Sequence, residues 1–295
     1  MNCTKLKPEL KDSIKERIKD HPCFCEKAHT RYSRMHLAVA PKCNIQCNYC
    51  NRKFDCVNES RPGVTSKVLS PEEAFEHFKY VKSKINDLTV VGIAGPGDPL
   101  ANIENTMKTF ELIRSYSNNI RLCISTNGLM LPYYIKDIVK LGVEHITITI
   151  NTIDEKIGSK IYRYIKFNGK TYKGIEAGKI LFDKQLEGLR LAVCLGLIVK
   201  VNTVLIPGIN DANIADISRM IKREGGFIHN IIPLINPADN STYFAKAKVR
   251  EPEAKEIEFA RFRAALELGS VSRVMKHCKQ CRADAVGKLN EDYKI

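Results

Sequence analysis

Six short runs rich in β-branched and apolar residues recur along the chain: HLAVA (36–40), TVVGIA (89–94), RLCIST (121–126), HITITI (145–150), LIVKVNTVLI (197–206) and FIHNIIPLI (227–235). Between them apolar residues return every three or four positions, which predicts helices near 71–86, 103–117, 132–141, 172–191 and 211–224. Ser70 followed by Pro71 is a start signal for the first of these, because a hydroxyl can cap the free amide groups and proline suits the opening turn. Strands alternating with helices predict an α/β fold with a parallel sheet, and right-handed crossovers curl it into a partial (βα)6 barrel.

In such sheets the working residues sit on loops beyond the carboxyl ends of the strands. The polar and cysteine-rich segments fall there: PKCNIQCNYCNRKFDCVNESRPG after the first run, GPGDP after the second, TNG after the third, Asn151 after the fourth and PGIND after the fifth. This divides the chain into an N-terminal extension (1–35), the barrel (36–250) and a C-terminal helix with a CxxC tail (251–295), both extensions carrying cysteines.

Composition narrows the class. With 44% hydrophobic and 27% charged residues the 295-residue chain has the balance of a globular protein with a sizeable core. No run reaches the ~18 to 20 apolar residues of a membrane span, and the first residues lack the apolar stretch of a signal peptide, so a cytoplasmic protein is expected. The net charge of +14 points to an anionic partner. Acidic residues are interleaved with the basic ones, as in KDSIKERIKD, and no aromatic-basic stripe occurs, which argues for a solvated basic surface over nucleic acid. Eleven cysteines in a reducing compartment point to metal or redox chemistry and not to a disulfide framework.

The strongest signal is Cys43-x3-Cys47-x2-Cys50 directly after the first strand. Three thiolates on one short loop can hold three irons of a [4Fe-4S] cluster and leave the fourth open to a chelating amino acid, such as the methionine end of S-adenosylmethionine (SAM). A structural zinc site, the alternative, needs a fourth ligand at finger-like spacing. More metal is implied by Cys23, Cys25, Cys56, Cys123, Cys278, Cys281, His21 and His29, since the CxxC at 278–281 cannot complete a site alone. Cys194, inside LRLAVCLGL, reads as a small core hydrophobe. Glu59 and Arg61, beside Cys56, are the charged pair expected to reach the reacting centre, with a structural ion pair as the alternative.

The CxxxCxxC spacing with an aromatic residue, Tyr49, before the last cysteine resembles the signature of the radical SAM superfamily. The resemblance implies a radical-SAM barrel, an electron donor, and reductive cleavage of SAM to a 5′-deoxyadenosyl radical. It aligns Gly95-Pro96-Gly97-Asp98-Pro99 with the family's glycine-rich segment, where Asp98 stands in place of the usual Glu and would receive the methionine ammonium. Ser125, Asn127, Asn151, Asn202 and Ile206 match the later strand ends that contact carboxylate, ribose and adenine in that family.

A closer resemblance rests on HPCFCEKAH (21–29), MHLAVAPKCNIQCNYCNRKFDCVNESRPG (35–63), GIAGPGDPLAN (92–102), LCISTNGL (122–129), VLIPGIND (204–211) and CKQCRADAVG (278–287). Together they are similar to the NifB family of nitrogenase cofactor maturases. That similarity implies two additional [4Fe-4S] clusters, fused as substrates with insertion of a carbon from a SAM methyl group. It also implies iron-sulfur cluster donors and downstream cofactor carrier or scaffold proteins as partners. The expected ligands are His29, Cys56 and Cys123 for one added cluster and Cys23, Cys278 and Cys281 for the other, with Cys25 and His21 in reserve. The rival reading is a radical SAM enzyme whose extra clusters only transfer electrons while it acts on an organic or peptide substrate. A passive scaffold would not need the nucleoside pocket.

Overall fold

The computed structural model describes residues 8–51, 53–54 and 63–293. Cys56, Glu59 and Arg61 lie outside the described residues. Six parallel strands run side by side in chain order: Ser33–His36, Leu88–Ile93, Arg121–Thr126, Val143–Thr149, Ile198–Leu205 and Ile228–Pro233. Helices Pro71–Lys84, Ile103–Tyr116, Leu131–Lys140, Gly174–Cys194 and Ile214–Arg223 make the crossovers. The chain therefore forms the partial (βα)6 barrel of the sequence expectation.

Both faces of these strands are covered, so they read as nearly continuous apolar runs. Ile93, Ile124, Ile146, Ile148, Val201 and Ile231 pack outward under the helices in the main core. The alternate residues turn inward, and there the polar ones collect: Cys123, Ser125, Thr147, Lys200, Asn202 and Asn230 line the barrel interior. Ser70 caps its helix as expected, accepting from the Glu73 amide while the Glu73 carboxylate accepts from the Ser70 amide. Such a cap is worth about 1 kcal/mol.

Three elements depart from the sequence expectation. The first strand lies at Ser33–His36, ahead of HLAVA, because Arg34 is an interior residue despite its charge. The C-terminal tail is part of the sheet: Val286–Lys288 pairs antiparallel with the first strand, and Glu291–Asp292 pairs with Val286–Lys288 in turn. Arg34 ties this edge together, donating to the Gly287 carbonyl oxygen at 2.6 Å and pairing with Asp292. Finally, Tyr162–Phe167 and Lys170–Tyr172 form a hairpin over Asn168-Gly169, both at positive φ. An Asn-Gly pair between alternating residues is the sequence signal for such a turn. Cys194 is corrected as well: it is exposed, two positions past Ala192, the last buried residue of its helix.

Candidate functional site: two cavities sharing a wall

Beyond His36 the chain turns into the Cys43–Cys50 loop, which is strapped to the hairpin. Ile45–Cys47 pairs antiparallel with Tyr162–Phe167, and the Asn48 side chain donates to the Lys160 carbonyl oxygen at 2.8 Å. The Gln46 side-chain amide donates to the carbonyl oxygens of Cys47 and Cys50 at 3.0 and 3.1 Å, which closes the loop on itself. With its backbone held this way, the loop turns Cys43, Cys47, Tyr49 and Cys50 into one cavity at the carboxyl ends of the strands. Three thiols converging there, with backbone from a second loop opposite, suit a cluster with three protein ligands and one open iron.

That second loop is the Gly95–Pro99 turn. The Gly97 and Asp98 amides donate to the carbonyl oxygens of Ala40 and Lys42 at 2.6 and 2.9 Å. A methyl group at Gly97 would lie 2.1 Å from the Lys42 oxygen, so only glycine lets the two loops meet. Gly97, Asp98, Ser125, Asn127 and Asn202 line the cavity with the cysteines. The Asn127 amide donates to Asn44 Oδ1 at 2.7 Å and stands 3.8 Å from Cys43 Sγ, so it can also tune a bound sulfur.

Asp98 lines the cavity, and its carboxylate also ties the chain together. Its buried carboxylate accepts from the backbone amide of Leu100 (2.9 Å), the Thr126 hydroxyl (2.9 and 3.0 Å) and the backbone amide of Asn127 (2.6 Å). Burial pushes its pKa up, and these donors pull against that. The chain itself occupies the oxygens, so Asp98 is a clamp joining the second and third strand ends. Asn151 is likewise behind the wall: its amide donates to the Tyr49 hydroxyl at 2.8 Å and its Oδ1 accepts from the Val204 amide at 2.9 Å. Gly95 and Ile206 are buried outside the lining, Ile206 packing with Val204 and Ile232 in a second core cluster.

A lower cavity opens one pleat further into the barrel. Cys23, Cys123, Cys278 and Cys281 line it together with His36 and Lys200. Cys23, Cys278 and Cys281, the three that the sequence expectation put on one added cluster, thus line one cavity. Cys123 joins the same cavity, and His29 does not line it. His29 instead stacks on His277, ring centres 5.1 Å apart, with its Nδ1 at the Glu26 carbonyl oxygen. His21 is buried against Phe24 and His145 with centroids 4.6 and 4.5 Å away, and Cys25 is outside the lining.

The imidazole facing the cavity is His36, which the sequence reading passed over because it sat inside a strand run. Cross-strand register places His36 beside Gly92 and Gly92 beside Cys123. With no side chain at Gly92, the two face each other across bare backbone. His36 Nδ1 lies 3.0 Å from the Arg282 carbonyl oxygen, which leaves Nε2 toward the cavity. Burial holds the imidazole neutral, its pKa lowered to about 4, and raises the thiol of Cys123 to about 12. Burial also raises Cys281 to about 11, against the pull of Arg34, whose Nη2 is 3.1 Å from the sulfur. Metal binding at such thiols must displace their protons.

The fold and the cysteine loop define the class. Residues 37–221 match the Radical SAM superfamily model, and the chain belongs to that superfamily. Within it, the chain is similar to proteins named FeMo cofactor biosynthesis protein NifB. The one from Frankia alni is 48% identical over 291 residues, covering 99% of this chain and 57% of that protein. The one from Klebsiella pneumoniae is 50% identical over 279 residues, covering 95% of this chain and 59% of that protein. The chain thus spans somewhat over half the length of these relatives. The fold is shared with SuiB of Streptococcus suis bound to precursor peptide SuiA, at a TM-score of 0.59 and 12% identity over 92% of this chain and 54% of SuiB. Methylornithine synthase (PylB) gives a TM-score of 0.55 and 17% identity over 90% of this chain and 70% of its own. No helix among the described residues is long and apolar enough to cross a membrane.

Proposed function

We propose that the chain is a radical SAM enzyme of nitrogenase cofactor biosynthesis that joins two [4Fe-4S] clusters around a carbon taken from SAM. One observation carries this reading: the upper and lower cavities share Ala94, Ser125, Asn202 and Ile232 as a common wall. A group released from SAM in the upper cavity therefore arises next to whatever the lower cysteines hold. The similarity to proteins named for FeMo cofactor biosynthesis supports the same reading.

Cys43, Cys47 and Cys50 would hold the resident cluster, with Gly97, Ser125, Asn127 and Asn202 around SAM. When bound, the cluster supplies the electron that cleaves SAM to an adenosyl radical. Cys23, Cys278 and Cys281 would grip one substrate cluster, and His36 with Cys123 the other. Cys56 completes the second set by sequence, and His36 takes the place first given to His29. A single nitrogen ligand suits a body that must later let go of one corner. Tyr49 and the Asp98 clamp fix the upper loops, and the enclosed wall keeps water from reactive carbon. Glu59 and Arg61, which lie outside the described residues, are assigned proton handling on the sequence alone.

Anaerobically loaded enzyme should form both S-adenosylhomocysteine and 5′-deoxyadenosine, the first from methyl transfer and the second from hydrogen abstraction. Chromatography of the quenched reaction reads both. If only 5′-deoxyadenosine forms and the lower iron stays bound through many turnovers, the extra clusters are electron carriers and an organic or peptide substrate replaces this reading.

A further inference from the structure

Within the apolar run LIVKVNTVLI stands one charged residue, Lys200, on the inward face of the fifth strand. Lysine is almost never enclosed unless paired, yet Lys200 is only 6% exposed. Among the described residues no carboxylate pairs with it. Its ammonium instead lies 5.0 Å from the centroid of the Phe24 ring. The other enclosed cation nearby, Arg34, is already engaged with Asp292 and Cys281. A ring face offsets only part of what an ammonium loses on leaving water. The Lys200 side chain thus has a ring face but, among the described residues, no carboxylate beside it in a cavity lined by four cysteines, a setting that favours an anionic occupant.

We propose that Lys200 is a positioning residue for the cargo of the lower cavity: its ammonium donates to sulfide on an anionic iron-sulfur cluster, on a face its cysteine ligands leave free. The inference rests on the reading of that cavity as a cluster site. The strands on either side of Val143–Thr149 bring Lys200 and Cys123 to the same cavity, so ligation and charge act from different walls. A cation beside the sulfides favours the reduced, more negative cluster, because net charge and hydrogen bonds to sulfur set its potential. It also retains the cargo without a fourth covalent bond that would have to be broken at release.

The test uses the protein as isolated with its clusters, wild type against Lys200→Met, Lys200→Gln and Lys200→Arg. Anaerobic iron release to a ferrous chelator and an electron paramagnetic resonance redox titration are read against the triad cluster in the same sample. Both neutral variants are expected to release lower-cavity iron at least tenfold faster and to move that cluster's midpoint potential negative, while Lys200→Arg stays within about twofold of wild type. If one neutral variant does not fold, the other decides. Wild-type release and potential in a folded neutral variant would overturn the proposal. So would an arginine variant that behaves like the neutral ones, since stem packing and not charge would then be responsible. Iron content that is unchanged in a Cys278→Ser, Cys281→Ser double variant would overturn the cargo reading itself, an outcome distinct from both.

Discussion

At the scale of single residues, the proposed nitrogen ligand is His36 where the sequence expectation was His29, and the two make opposite predictions. Pulsed electron paramagnetic resonance should show nitrogen coupling to a cluster in the wild type and in His29→Ala, and lose it in His36→Ala. Loss in His29→Ala alone would restore the sequence assignment. The cysteines were legible because their spacing is unusual in itself. His36 was not, because its meaning depends on Gly92 being the residue between it and Cys123, a relation that exists only once strands are in register. The clamp made by Asp98 was not legible for a similar reason: a carboxylate in a glycine-rich turn shows its donors only once the strand ends are in place. A second residue-scale expectation concerns pH. His229 is buried between Ser218 and Thr203, each 2.9 Å from a ring nitrogen, and burial lowers its pKa to about 3. The unfolded chain takes up that proton near pH 6.5, so this contribution is complete above about 6.5 and is lost as pH falls toward about 3. The slope is up to about 1.4 kcal/mol per pH unit. Denaturant midpoints at about pH 7.5 and about pH 5.5 should therefore differ less in His229→Gln than in wild type.

Among the elements, five of the six barrel strands and all five crossover helices stand close to where periodicity put them, since both are written in the local spacing of apolar residues. What local spacing could not reveal was pairing over distance. The tail reads as an appendix after the last helix, yet Val286–Lys288 covers the edge of the first strand. Deleting everything after Met275 would strip Arg34 of the Gly287 carbonyl oxygen and Asp292 and leave one edge of the first strand unpaired. It would also remove buried Val286 and Leu289, worth about 1.5–3 kcal/mol each. Against a typical stability of about 5–15 kcal/mol that is a large share. The truncated chain is expected to be protease-sensitive, whereas Cys278→Ser, Cys281→Ser should resist limited proteolysis like the wild type and lose iron. Equal resistance of the truncation would show that the tail strand contributes little.

For the whole molecule, the barrel is a column closed from below. Phe24 and the ring of His21 pack under His145, and Arg121 on the third strand is paired with Asp20 of the N-terminal segment. The upper and lower chambers meet at the shared wall of Ala94, Ser125, Asn202 and Ile232. That wall has a bookkeeping consequence for carbon. On the proposed function, a methyl group passed between adjoining chambers would not join the pool of free SAM. In a pulse–chase experiment, loaded enzyme given methyl-labelled SAM and then a large excess of unlabelled SAM should carry nearly all committed label through to the protein-bound product. If the chase instead diluted the product in proportion to the added SAM, the chambers would be open to exchange and the column would be a passage, not an enclosure.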